Sequence, residues 1–356
     1  MIQILELNRQ GHREIYNELL TGIGYKRPYD SPDFFLNFSN GFENLICLCC
    51  KESYKVFLLP GYLKPIPGFE GFNDFSSPYG YSGPIISKNA DYDFLNKSWI
   101  EVESYFKSVN TVSCFLRIGF QSEMTGFPGE IHPTLKNIQG RIVSEDSQWL
   151  GFEHKVRKNA NKAIREGLTC KIVQGREISE TDLMDFYYIY KDTMVRNKAQ
   201  NHFFYSNDAF KNFVVSSPDL CLFAFIYDQN KAISAEMALI SDDSIFSFLG
   251  GTLSDSFEKR PNDYLKFELI NWTRMNGIKF FVLGGGYGSE DGIFNYKKAF
   301  FPNDVVDYYT GRWIILAQIY TDILDDVRTK YEAENSISET FNNKDFFPAY
   351  RKYMNN

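Results

Sequence analysis

Hydrophobic and polar positions alternate along this chain in two registers that recur in the same order. In the first half, apolar residues at helical spacing predict a short helix near His12 to Leu20. Near-continuous apolar runs then predict strands over Phe42 to Cys50 and Tyr54 to Pro60. Pro60 to Pro84 is rich in glycine and proline and reads as irregular, ending in Ser77-Pro-Tyr-Gly-Tyr-Ser-Gly-Pro84. A helix over Tyr92 to Lys107 and a strand over Thr111 to Arg117 follow. In the second half, Ser179-Glu-Thr-Asp182 has capping-box spacing ahead of Leu183, Phe186, Tyr187, Tyr190 and Met194. Strands are predicted over Leu220 to Tyr227, Ala232 to Ile240 and Ile245 to Gly251. A loop containing Lys259-Arg-Pro-Asn262 leads into a helix with Leu265, Leu269 and Trp272 on one face, ending at Asn276-Gly277. The strand Ile278 to Leu283 then runs into Gly284-Gly-Gly-Tyr-Gly288.

Each half thus reads helix, strands, irregular loop, helix, strand. This is an α/β layout of two domains, each a mixed twisted sheet flanked by helices, and it points to a degenerate duplication. Between the halves, Trp149, Phe152, Val156, Ala160 and Ala163 fall on one face of a helix expected from Trp149 to Gly167. Leu316, Ile319, Ile323 and Val327 mark a C-terminal helix that packs back on the body. The expected boundaries are 1–148, 149–311 and a helical segment 312–356.

Composition narrows the class. With 356 residues, 44% hydrophobic and 23% charged, the chain is an ordinary folded protein, and its 17% aromatic content is high. The net charge of −7 disfavours generic binding to nucleic acid or anionic membrane. Six cysteines (47, 49, 50, 114, 170, 221) and four scattered histidines offer neither a disulfide framework nor zinc-ligand spacing. No apolar run approaches the ~20 residues of a membrane span. Reduced thiols and an N-terminus without a basic start or apolar core suggest a cytoplasmic protein that needs no metal.

Two stretches carry candidate chemistry. In Leu283-Gly-Gly-Gly-Tyr-Gly-Ser-Glu-Asp-Gly-Ile-Phe-Asn-Tyr-Lys-Lys-Ala-Phe300, glycines open the backbone to close approach. It is no dinucleotide fingerprint, since the third required glycine is Ser289 and no helix evidently follows. The second stretch, Trp149 to Arg176, holds Lys155, Arg157, Lys158, Lys162, Arg165, Lys171 and Arg176 against only Glu153 and Glu166. Such a stripe suits either a solvated helix face or a phosphate backbone.

The order of loop, helix, strand, glycine cluster and aromatic-Lys segment resembles the Fem-type (FemABX-like) aminoacyltransferases and Fem-like proteins with tandem GNAT-type acyltransferase domains. The resemblance is strongest from Lys259 to Phe300 and extends to Trp149–Gly167 and Tyr79-Gly-Tyr-Ser-Gly-Pro84. It implies attack of a primary amine on an activated carbonyl to form an amide on a bacterial cell-envelope precursor, such as a nucleotide-linked amino sugar or muropeptide. The acyl donor would be aminoacyl-tRNA or acyl-CoA. Lys297 matches the family lysine that steadies charge at the reacting centre, and Arg196 looks like the arginine that contacts acceptor phosphates. Glu236 is the candidate base, with Glu290 and Asp291 as rivals. Tyr79, Tyr81, Gly284, Gly285, Gly286, Tyr287 and Tyr296 are expected around the substrate, and Lys259, Arg260 and Asn262 at the donor. The stretch Ser256 to Tyr264 lacks the glycines of a coenzyme A pyrophosphate loop, and Pro261 removes an N–H donor, which weakens the acyl-CoA case. The basic segment 155–176 is the candidate tRNA contact. The rival reading is a non-catalytic GNAT-fold binding module for a nucleotide sugar or peptide.

Overall fold

Alternation and helical periodicity both carry over into the computed structural model, which describes every residue except 1, 25–26, 40–43, 121, 287, 289, 336–345 and 355–356. In chain order the elements are β1 (Gln3–Glu6), α1 (Gln10–Ile23), α2 (Pro32–Phe38), β2 (Leu45–Glu52), β3 (Lys55–Ile66), β4 (Phe69–Ser76), β5 (Ile85–Ile86), α3 (Tyr92–Ser108) and β6 (Thr111–Arg117). Then come β7 (Glu130–Arg141), α4 (Glu145–Gly151), α5 (His154–Arg165), β8 (Thr169–Gln174), α6 (Glu180–Arg196), α7 (Asn207–Ser216), β9 (Cys221–Asp228), β10 (Lys231–Ile240) and β11 (Ser244–Thr252). The chain ends with α8 (Pro261–Met275), β12 (Phe280–Gly284), α9 (Gly292–Lys298), β13 (Val305–Ile314), α10 (Ala317–Asn335) and α11 (Arg351–Met354).

These elements form two compact units. One comprises Met1–Tyr25, Gly41–Thr134 and Tyr308–Asn356, the other Lys26–Asn40 and Leu135–Asp307. In the first, strands run in the order β1-β2-β3-β4-β6-β13, with β5 beside β3. All its neighbours pair antiparallel except β4 and β6, which are parallel. In the second, the order is β7-β12-β11-β10-β9-β8, again antiparallel except for one parallel pair, β11 with β12. Both units are therefore a four-strand antiparallel meander, a crossover helix, a parallel strand and one closing antiparallel strand. This repetition is the duplication expected from the sequence.

The closing strands are exchanged. Residues 310–314 of β13 pair with β6, whereas residues 138–141 of β7 pair with β12. Linear boundaries at 148/149 and 311/312 do not follow these units, because each half of the sequence supplies the other unit's last strand. Residues 26–40 depart in the same way. Their helix α2 packs Phe34 and Phe38 against Phe210, Phe213 and Phe248 of the second unit, with ring centroids 5.1–6.2 Å apart.

Three local differences have simple causes. Pro60 to Pro84 is not irregular throughout, since β3 runs through Pro60, Gly61 and Pro65 to Ile66 and β4 follows. Trp149 to Gly167 is two helices, not one. Phe152 and Glu153 are extended, and the Arg157 guanidinium donates to the carbonyls of Trp149, Leu150 and Phe152 at the end of α4. The apolar period continues across that break because both helices bury into one core. A helix does follow the glycine cluster, so Lys297 lies on α9. The Ser179–Asp182 capping box forms as expected.

Packing follows the layers. In the first unit α3 covers one face through Leu95, Trp99, Val102 and Phe106. The C-terminal helix packs back as expected, with Tyr320, Ile323 and Val327 against Ile66, Val112, Phe347 and Tyr350. In the second unit α5 and α8 cover one face, and α6 covers the other, with Phe186 against Phe223 at 5.1 Å. All six cysteines are free thiols. Burial pushes Cys49 up to about 11, and Cys170 and Cys221 up to about 12, which leaves them poor nucleophiles. Among the described residues no helix is long and apolar enough to cross a membrane.

The C-terminal segment is tied down at Asp74, which is 4% exposed. Its carboxylate accepts from Ser113 Oγ (2.7 Å), Tyr350 Oη (2.6 Å) and Arg351 Nε (2.7 Å), and Arg351 also donates to the carbonyls of Lys64 and Pro65. Breaking a buried ion pair from one side costs several kcal/mol, and the two remaining hydroxyl donors soften that loss. Arg351→Ala should lower stability by ~2 kcal/mol, read as a reduced urea midpoint at unchanged slope.

Candidate active site

The second unit concentrates its buried charge where its two parallel strands part. β11 and β12 pair only over Ser244–Phe246 and Phe280–Val282. β12 then turns away at Gly284, whose φ of +76° suits glycine and penalises any side chain. Gly286 is required for a different reason: a Cβ there would lie 2.1 Å from Asp291 Oδ1. That carboxylate caps α9, accepting from the Phe294 N–H at 2.8 Å and the Gly288 N–H at 3.2 Å. The glycine turn and the helix after it are thus built around one another.

Lys297 projects from the last turn of α9, and its Nζ donates to the Gly285 carbonyl at 2.6 Å. Burial, then the charge of Lys266, lowers its pKa to about 8 against the opposing pull of Glu236 and Asp291. Glu236 on β10 is 5% exposed and forms an ion pair with Lys266 of α8. The Lys266 ammonium also donates to Ser247 Oγ at 2.8 Å. One carboxylate oxygen of Glu236, Oε1, and the hydroxyl of Tyr296 are buried with no hydrogen-bond partner among the described residues. Burial, with the charges of Asp263 and Glu236 behind it, holds the Tyr296 phenol far above its ordinary pKa, so it remains an O–H donor. Asp263, in the first turn of α8, is raised by burial and accepts from Asn159 Nδ2 at 3.2 Å. The cluster therefore presents a cation, a phenol donor and a free carboxylate acceptor in a dry setting.

Of the residues expected from sequence, the structure brings together Glu236, Gly284, Gly285, Gly286, Tyr296 and Lys297. Tyr287 lies outside the described residues. Of the rival bases, Asp291 is committed to capping α9; Glu290 is exposed in the turn before it, at φ +53°. Arg196 is on the other sheet face: α6 packs where Phe223 and Gly251 point, and strand alternation sends Glu236 to the α8 side. Its guanidinium is paired with Asp192 at 2.7 Å and lies 5.0 Å from the Phe257 ring centroid. Lys259 ends a 3₁₀ turn over Ser254–Lys259 and is paired with Asp228, which raises its pKa. Arg260 adopts a left-handed φ of +60° ahead of Pro261, and Asn262 sits half-buried in the first turn of α8. Pro261 occupies the first helical position, where an N–H would have no intrahelical partner. Tyr79 and Tyr81 belong to the first unit. Tyr79 is exposed, whereas Tyr81 is half-buried against Phe120 (4.9 Å) and Tyr308 (5.8 Å).

Sequence reasoning missed Lys266, Asp263, Ser247 and Asn159. A signal existed for two of them: Asp263 and Lys266 share the i, i+3, i+7, i+10 stripe of α8 with Ile270 and Thr273, all buried. The basic segment is largely engaged internally. Lys155 pairs with Glu153, Lys171 with Asp182 and Arg176 with Asp219, and Arg157 holds backbone carbonyls. Lys158, Lys162 and Arg165 have no ion-pair partner among the described residues, nor is there a cluster of three or more potential metal ligands there.

Comparison with known proteins agrees with this architecture. Residues 153–288 match the FemAB-like family, described as peptidoglycan biosynthesis/recognition. Among solved structures, FemX superposes with a TM-score of 0.63 at 10% identity, covering 87% of this chain and 98% of its own. The C-terminal domain of a putative lysylphosphatidylglycerol synthetase from Agrobacterium fabrum gives 0.58 at 11% identity, covering 88% and 96%. A conserved protein of unknown function from Bacteroides thetaiotaomicron gives 0.52 at 10%, covering 84% and 97%. No curated protein sequence matches the chain. Over residues 153–288 the chain is thus similar to the FemAB-like family, and its fold is shared with FemX. Arg196, Glu236, Arg260 and the three glycines lie inside the matched segment, and Tyr296 and Lys297 lie beyond it.

The electrostatics of Lys297 are directly measurable. In spectra of the protein labelled with ¹³C at lysine ε-carbons, two resonances should titrate with midpoints near 8, those of Lys64 and Lys297, and only the second should vanish in Lys297→Met. Exposed lysines titrate near ~10.4; a Lys297 midpoint there would mean that the ammonium is solvated.

Proposed function

We propose that the chain is a Fem-like N-acyltransferase. It joins an acyl or aminoacyl group to a primary amine of a bacterial cell-envelope precursor, such as a nucleotide-linked amino sugar or a muropeptide. The observation that carries this reading is the half-buried Lys297 ammonium on the Gly285 carbonyl, in the same polar cluster as the oxygen of Glu236 that has no partner among the described residues. It stands in a chain whose residues 153–288 match a peptidoglycan biosynthesis/recognition family. The Agrobacterium neighbour is named for making a lysyl-bearing lipid, which favours an aminoacyl donor over acyl-CoA. The absence of glycine from Ser256 to Tyr264 points the same way.

The chemistry balances without a redox partner or metal. The acceptor nitrogen attacks the acyl carbonyl and a C–N bond forms. Lys297 steadies the tetrahedral oxyanion. The ester C–O bond to the tRNA ribose then breaks, or the C–S bond of a thioester. Glu236 Oε1 takes the amine proton, which leaves with the departing alcohol or thiol. Lys259, Arg260 and Asn262 contact the donor, whereas Arg196, on the opposite sheet face and paired with Asp192, is given no part in the reaction. Lys158, Lys162 and Arg165 are the charges open to a tRNA backbone, and the reaction is placed in the cytoplasm.

The test is a mass-shift assay. Amino-sugar nucleotides and muropeptides are incubated with charged tRNA or acyl-CoA, and the product mass identifies both substrates. Lys297→Met should lower kcat by ~10²–10³-fold, as for loss of one oxyanion donor, while acceptor binding persists. Since Lys297 acts as a cation, the wild-type rate should fall as pH rises through about 8. An undiminished kcat in the variant would remove Lys297 from the mechanism. A second reading is a non-catalytic binding module. It is favoured by the word recognition in the family description and by the position of Lys297 beyond the matched segment. Muropeptide or nucleotide-sugar binding with no product from any donor would establish it.

A further inference from the structure

Helix α8 carries a lysine on its apolar side. Lys266 is flanked by Leu265, Leu269 and Ile270, all fully buried, and its own side chain is 6% exposed. An ammonium in such a place is costly unless its donors are used. Two are: one to Glu236 Oε2 on β10 and one to Ser247 Oγ on β11. The ammonium also lies over the Phe281 ring, 5.6 Å from its centroid. A helix and two strands therefore clamp one cation.

The clamp has two consequences. Glu236 is held through Oε2, which leaves Oε1 buried with no hydrogen-bond partner among the described residues. In addition, Lys266 is the charge that most opposes the Lys297 ammonium. The charged groups acting on Lys297 are Lys266 from α8, Glu236 from β10 and Asp291 from the cap of α9, with the Gly285 carbonyl as its hydrogen-bond acceptor. Buried pairs of this kind contribute little net stability compared with apolar residues of equal volume, so packing alone does not account for the lysine.

We propose that Lys266 is a positioning residue for the transfer reaction: it presents the free carboxylate oxygen of Glu236 to the incoming amine and keeps a second cation beside Lys297. This inference rests on the acyl-transfer reading. Both can be tested separately with Lys266→Met, Lys266→Arg and Lys266→Met/Glu236→Gln, each checked for folding by circular dichroism. Lys266→Met should reduce kcat by roughly 10²-fold, the scale of a misplaced acid–base group. It should also move the alkaline limb of the pH–rate profile upward, because the charge removed opposes protonation of Lys297. Lys266→Arg should restore the limb and most of the rate. The ¹³C titration of Lys297 gives the readout that does not need turnover: its midpoint should rise in Lys266→Met. It should also rise in the double variant, which removes both buried charges if the single variant fails to fold, since Lys266 outweighs Glu236. A folded variant with an unmoved midpoint, or an Arg variant no better than Met, would overturn the proposal. Absence of product from the wild type, with the midpoint still shifting, would instead count against the transfer reading.

Discussion

The short parallel contact between β11 and β12 is the constraint on which the rest of the second unit depends. Parallel neighbours cannot be joined by a hairpin, so a crossover helix must return the chain to the same end of the sheet. That helix is α8, and it delivers Asp263 and Lys266 to the sheet face. The contact then lasts for only three residue pairs. Beyond it β11 keeps its bonds to β10 as far as Thr252, while β12 leaves at Gly284. Ser247, Gly285 and Lys297 all stand where the strands part, because each lies within three residues of the end of pairing or is bonded to a residue that does.

The first unit has the same parallel pair, β4 with β6, and a buried charge at the corresponding kind of place. There the outcome is different. Asp74 is supplied with Ser113, Tyr350 and Arg351, the last two from the C-terminal segment, and is consumed in holding that segment down. In the second unit the cluster includes Glu236 Oε1 and the Tyr296 hydroxyl, which remain unpartnered among the described residues. A fully bonded network rigidifies the fold, whereas open valences in a dry setting are what a reacting group needs. That contrast, more than the fold, distinguishes the two units.

Exchange of closing strands gives the duplication its second physical consequence. Neither half of the sequence contains the six strands of a complete sheet, since β7 completes the unit built from residues beyond it and β13 completes the unit built from residues before it. The aromatic excess is spent in a related way. Part of it gathers around α2 near the start of the chain, buried among Phe210, Phe213 and Phe248. Ring-on-ring packing of this sort holds an early segment to a distant one without backbone pairing.

Local information determined most of the elements. Thr111–Arg117 was legible to the residue, and so were the Ser179–Asp182 cap and the stop at Asn276-Gly277, because period, capping and turn chemistry act over a few neighbours. The glycine run was legible from its own residues, whereas Lys297 became a candidate only through the family resemblance, although its hydrogen bond to Gly285 spans only twelve positions. What the tertiary structure alone decided was long-range. Which strand closes which sheet, the pairing of Glu236 with Lys266 thirty residues away, and the sheet face taken by Arg196 all depend on pairing partners that no window of the chain contains. Charge burial belongs to the same class: the alternation around Glu236 fixes that it faces away from Ala235 and Met237, and only the helix laid across that face makes the position dry.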